Sequence, residues 1–208
     1  LLAACSQQET PVQDVKVYVS AGVSFNEAPD WVLPVQNVPG FTHIYDSTKL
    51  ITTNNDTNAQ SIFTGSTNSF SIVLTEGSYN MYMATKDPGQ VEKYIHFTSS
   101  IPVANIVKGG APIVLPADTK QALLLVTKAA VTAAPTMVIS GKTYTMYLNP
   151  GGTFYYAYIN APAPVTIKLN MSIGSRDLVL SKNNKYLVAN PSGATITTDE
   201  LILNTITI

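Results

Sequence analysis

The chain has 208 residues, a net charge of −1 and 12% charged side chains, about half the usual share. So weak a charge excludes an electrostatic case for nucleic acid or for an anionic membrane surface. The length allows one large domain or two small ones.

At the N-terminus, Leu2-Ala3-Ala4-Cys5 has the form of a bacterial lipobox, the cleavage site before a cysteine that receives lipid. Cys5 is the only cysteine, so no disulfide framework is expected. Ser6 to Pro11 is polar and ends in proline, as a flexible tether would. Residues 1–11 are therefore expected to be lipobox and tether. They place the protein in the bacterial cell envelope, at the outer membrane or cell surface, held by lipid on Cys5. Nothing further along reads as a membrane span. The most apolar stretch, Gln121 to Ile139, is interrupted by Lys128 and Pro135.

From residue 12 onward the periodicity is two. Val15, Val17 and Val19 alternate with Lys16, Tyr18 and Ser20. Phe70, Ile72 and Leu74 form the next such set, followed by Tyr79, Met81 and Met83. Tyr144, Met146 and Leu148 form a fourth, and Val165, Ile167 and Leu169 a fifth. Each is the pattern of a half-buried strand. Turn chemistry stands between them at Thr75-Glu76-Gly77, Asp87-Pro88-Gly89, Asn149-Pro150-Gly151-Gly152, Asn183-Asn184 and Pro191-Ser192-Gly193. No amphipathic helix of three turns is found. The expectation is an all-β protein of two tandem antiparallel β-sandwich domains, of transthyretin or immunoglobulin type, over 12–113 and 114–208.

The last eight residues, Leu201 to Ile208, are strand-like and uncharged. They serve either as an ordinary final strand or as one given to a neighbour, since strand addition needs an extended apolar segment. Leu201, Leu203, Ile206 and Ile208 are the candidate donor residues.

Motifs of chemistry are missing. His43 and His96 have no second ligand at metal spacing, so no metal site is expected. Gly141-Lys142-Thr143 lacks the first glycine of a phosphate loop, Thr136 standing in its place. The loop Asn54 to Asn58 carries one carboxylate, too few for calcium. No Gly-x-Ser-x-Gly elbow occurs. The chain is not expected to be an enzyme or to take a cofactor. In Phe154-Tyr155-Tyr156-Ala157-Tyr158, alternation sends Phe154, Tyr156 and Tyr158 to one face and Tyr155 to the other. One face is core, and burial is the plain reading of the Tyr156 and Tyr158 face. An exposed one would be an aromatic platform for sugar or protein.

Three features together resemble the fimbrillin-like lipoproteins of Bacteroidetes, the FimA/Mfa-type pilins and their anchor and tip relatives. They are the lipobox with its tether, Leu74-Thr75-Glu76-Gly77-Ser78-Tyr79-Asn80-Met81-Tyr82, and Leu178-Val179-Leu180-Ser181-Lys182-Asn183-Asn184-Lys185-Tyr186-Leu187-Val188. The resemblance implies transthyretin-like sandwiches and a lipid-anchored adhesin or pilus subunit that acts by strand pairing. Its partners would be other pilus or surface subunits, itself included, and a glycan or host surface. The family's maturation after an N-terminal arginine has no site here, because the only arginine is Arg176 and the first basic residue after the tether is Lys16, which leaves Lys16 or Lys49 as the alternative cleavage points. That favours a subunit that keeps its lipid, or a stand-alone adhesin. The alternative is a carbohydrate-binding module of a surface glycan-uptake system, with Trp31, Tyr155 and Tyr158 as its platform.

Overall fold

The computed structural model describes residues 15–25, 41–189 and 202–206, with Ser24, Phe25, Ala189 and 202–206 described by backbone alone. The chain is all-β. In order come β1 (Lys16–Phe25), β2 (Thr48–Asn54), β3 (Gln60–Gly65), β4 (Ser69–Thr75), β5 (Gly77–Ala84), β6 (Val91–Glu92), β7 (Thr98–Ile106) and β8 (Ile113–Asp118). They are followed by β9 (Gln121–Thr127), β10 (Thr136–Ile139), β11 (Lys142–Thr145), β12 (Tyr147–Leu148), β13 (Phe154–Asn160), β14 (Val165–Met171), β15 (Gly174–Leu180), β16 (Lys185–Ala189) and β17 (Ile202–Ile206). Among the described residues the one helical segment is a 3-10 turn at Lys128–Ala130.

Seven strands form the first sheet in the order β3-β2-β5-β7-β8-β1-β4. Its alternation is the one read from the sequence: Val17, Val19, Ile72, Leu74, Tyr79, Met81 and Met83 are buried, while Tyr18 and Tyr82 face solvent. Residues from both halves of this sheet, Leu50, Met81 and Ile106 on one side and Val19, Ile72 and Leu115 on the other, meet in one hydrophobic cluster. The sheet therefore folds back over its own core, as two layers of a sandwich do. The fold is made between β7 and β8, which pair only at Thr98–Asp118 and Ser99–Ala117. The next partner on β8 would be Pro116, which has no N–H to give to a ladder. Ser99 donates its hydroxyl to the Pro116 carbonyl instead.

The remaining strands make two sheets, β11-β10-β14-β15 and β12-β13-β9-β16-β17, with β6 joined to β13. Met137, Ile139, Ile167, Leu169 and Leu180 of one pack with Leu124, Val126, Ile159 and Val188 of the other. Strand β8 spans the expected break at 113/114 and belongs to the first sheet, and the next strand, β9, belongs to another.

Strand β9 explains the apolar run from Gln121. Leu124 and Val126 point into the core between the two sheets, while Leu123 and Leu125 point the other way, onto Phe41, Ile95 and Tyr156. A strand covered on both faces loses its alternation and reads as continuous hydrophobicity.

The run Tyr144, Met146, Leu148 departs from the expectation of one strand with one buried face. Strand β11 pairs with β10 in the four-stranded sheet, whereas β12 pairs with β13 in the other. The chain changes sheet at Met146, which is buried, and Leu148 emerges exposed. A strand that turns a sandwich corner changes which face is inside.

Gln121 ties the two halves of the chain together. It is buried, its Oε1 accepts a hydrogen bond from the His96 N–H at 2.7 Å, and its own N–H donates to Thr119 Oγ1 at 3.1 Å. Substitution Gln121→Leu would leave the His96 amide without a partner. The expected loss is about 2 kcal/mol in the unfolding free energy, the usual cost of one orphaned buried donor. Urea denaturation of the two proteins measures it, and an unchanged midpoint would remove this junction from the stability argument.

Candidate functional site

The last described strand, β17, sits at a sheet edge. Strand β16 runs parallel to β9, with Lys185 opposite Leu123 and Val188 opposite Val126. Strand β17 then pairs antiparallel with β16, from Lys185–Ile206 to Ala189–Ile202. Among the described residues β17 has no neighbour on its outer side. The candidate donor segment is thus paired within its own chain, as an ordinary final strand is, and also forms an edge whose outward N–H and C=O groups can take another strand. Leu203 and Ile206 lie in β17, and Leu201 and Ile208 fall outside the described residues.

A second pair of edges lies in the first sheet. Its outermost strands, β3 and β4, do not pair with each other. Between them runs a groove of about 610 Å³, lined by Ser61 of β3, by Val73, Leu74 and Thr75 of β4, and by Tyr79 beneath. Lys16, Asp56 and Glu76 stand around it. Tyr79 is fixed in place by its hydroxyl, which lies 2.8 Å from Thr75 Oγ1 and donates to the Thr75 carbonyl at 3.2 Å.

The aromatic platform is corrected by the structure at Tyr158. That residue is 1% exposed, inside a cluster with Phe41, Ile95, Phe154 and Tyr156. Its ring stacks edge-on with Tyr156 at 6.0 Å and lies 5.8 Å from His43. Tyr155 points to the opposite face, half-buried against the core between the two sheets. Both faces of β13 are covered because β9 and β13 lie in the middle layer of the packing. Trp31 and the lipobox cysteine, Cys5, fall outside the described residues.

His43 is packed against this aromatic cluster, and no motif in the sequence pointed to its partner. Its Nδ1 lies 2.7 Å from the Tyr158 hydroxyl, which also takes part in a hydrogen bond with the Ile44 backbone. Burial, with the nearby Lys185 ammonium adding to it, pushes the His43 pKa down to about 4. Burial raises the Tyr158 hydroxyl well above its usual value and lowers Lys185, which is fully buried, to about 8. The neutral imidazole and the phenol share this hydrogen bond, and together they fasten the segment Phe41–Tyr45 over the sheet.

His96 is buried as well. Its Nδ1 lies 3.2 Å from Thr85 Oγ1, and its Nε2 makes no hydrogen bond, being 3.9 Å from the Glu92 carboxylate. Desolvation lowers its pKa, opposed in part by Glu92. Among the described residues no group of three or more His, Cys, Asp and Glu is placed to hold a metal ion, and no helix is long and apolar enough to cross a membrane.

No family model matches the chain, and no curated protein matches it. Solved structures do. The tip fimbrial protein Mfa3 of Porphyromonas gingivalis, with a C-terminal truncation, is similar over 86% of this chain and 97% of its own, at 9% identity and a TM-score of 0.43. A candidate cell-adhesion protein of Bacteroides uniformis is similar over 93% and 97%, at 11% identity and a TM-score of 0.47. A fimbrial protein of Bacteroides ovatus is similar over 85% of this chain and 49% of its own, at 9% identity and a TM-score of 0.49. The structural neighbours are thus fimbrial and adhesion-type proteins of Bacteroidetes, the group that the sequence resembles. No residue of this chain takes a role from them.

Proposed function

We propose that this protein is a lipid-anchored cell-surface adhesin or pilus subunit that acts by pairing strands with a neighbouring subunit. The observation that carries the reading is the terminal strand β17, an edge strand at the end of the chain held by β16 alone among the described residues. The groove between β3 and β4 supports it, because it offers backbone edges to an incoming strand in the same fold. The lipobox at Cys5 and the fimbrillin-like resemblance of the sequence point the same way. On this reading, the first sheet is one sandwich domain and the paired later sheets are a second, both of transthyretin type. Cys5 carries the lipid, and the action is association rather than chemistry.

Removal of residues 201–208 tests it. The full chain, at high concentration or on the cell surface, should form self-associated species that electron microscopy and sedimentation detect, and the shortened chain should not. Equal assembly of both forms would rule out donation of the terminal strand.

A further inference from the structure

The divergence of β7 and β8 opens a cleft on the outside of the first sheet. One part is a groove of about 340 Å³ lined by Tyr82, Thr98, Ser99, Ser100, Pro116 and Asp118. It adjoins, through Thr98 and Asp118, a cavity of about 50 Å³ bordered by Thr85, Lys86, Asp87, His96 and Lys120. We propose that this cleft is a binding subsite for a neutral carbohydrate, with the sugar ring in the groove beside Tyr82 and an exocyclic hydroxyl-bearing arm in the cavity bordered by Lys86 and Lys120.

Three observations bear on the ligand. The charges cancel, Lys86 and Lys120 against Asp87 and Asp118, so neither a net anion nor a net cation is selected. The same side chains offer both donors and acceptors, together with the hydroxyls of Thr98 and Ser100, which suits a ligand whose every hydroxyl both gives and accepts a hydrogen bond. Tyr82 is 40% exposed on the outer face, and it gives the apolar face of a sugar ring a surface to lie on. His96 borders the inner cavity, while its Nε2 is turned away from reachable space, 3.9 Å from the Glu92 carboxylate. One water needs roughly 10–15 Å³ of such space, so the cavity holds a short arm and not a ring.

The cleft owes its existence to Pro116, which ends the β7–β8 ladder, and to Asn183, whose Nδ2 donates to Asp118 Oδ1 at 3.3 Å and steadies it. None of the residues lining the cleft belongs to β16 or β17, so this site and strand donation can be tested separately.

The experiment uses the full chain on an array of neutral oligosaccharides built from glucose, galactose, mannose, fucose and N-acetylhexosamines. Glucuronate, galacturonate and inorganic phosphate serve as charged probes. Hits are titrated by saturation-transfer NMR. At least one neutral glycan should bind with a dissociation constant of about 1 mM or tighter. Tyr82→Ala and Asp118→Asn should each weaken it by about tenfold or more, with unchanged circular dichroism. Tyr18→Ala, which removes a more exposed tyrosine from the same sheet, should leave binding as it was. The inference is overturned if no neutral glycan binds, if the charged probes bind better, or if Tyr82→Ala binds like the parent.

Discussion

Truncation of Leu124 to alanine is expected to lower the unfolding free energy by about 3–4 kcal/mol, among the larger costs of a single core substitution. Leu124 is fully buried in β9, the strand with β13 on one side and β16 on the other. Its side chain enters the core between the two later sheets, beside Met137, Ile139 and Val188. The hole cannot collapse easily, since the β9 backbone is hydrogen-bonded on both sides and Leu123 and Leu125 on its opposite face are packed against Phe41, Ile95 and Tyr156. Val179→Ala on β15 is the control. That valine is 60% exposed and should cost less than about 0.5 kcal/mol. Chemical denaturation of both variants decides the matter, and comparable losses at the two positions would contradict the layered packing.

Acid should weaken the protein through His43. Its pKa stands at about 4 in the fold, against 6.5 when unperturbed. Between those values the unfolded chain carries the proton and the folded chain does not, so the unfolding free energy falls as the pH falls. The contribution is complete above about pH 6.5 and lost by about pH 4, and it amounts to no more than about 3 kcal/mol. His43→Gln keeps a side chain able to bond Tyr158 and removes the titration. Its unfolding free energy should therefore run flatter than that of the parent through this window, measured by denaturation at a series of pH values. Parallel curves would mean that the charge on His43 is accommodated without moving the Phe41–Tyr45 segment.

Alternation alone exposed most of the strands. Val17 with Val19, Met81 with Met83, and Ile167 with Leu169 are buried as a period of two requires. What the pattern could not carry was which surface lies opposite. Leu123 to Val126 is a plain apolar run, and its second face is covered by Phe41 and Ile95, far away in the chain. For the same reason Tyr158, a candidate for the surface, is instead held in the interior by His43. The crossing at Met146 was hidden because a strand that changes sheets keeps its alternating letters while its inside face switches. The cleft beside Tyr82 had no signal at all. Asp118 and His96 converge only because Pro116 cuts a ladder short, and no spacing in the sequence records that.

The two parallel pairings also govern the order in which the chain can fold. Ala21 of β1 meets Ile113 of β8, and Lys185 of β16 meets Leu123 of β9. Each contact closes a long loop before it is rewarded, which makes such sheets slow to form. A chain emerging N-terminus first exposes β1 long before β8 arrives to flank it. During that interval the β8-facing edge of β1 is unpaired, which is the kind of edge that another chain can take.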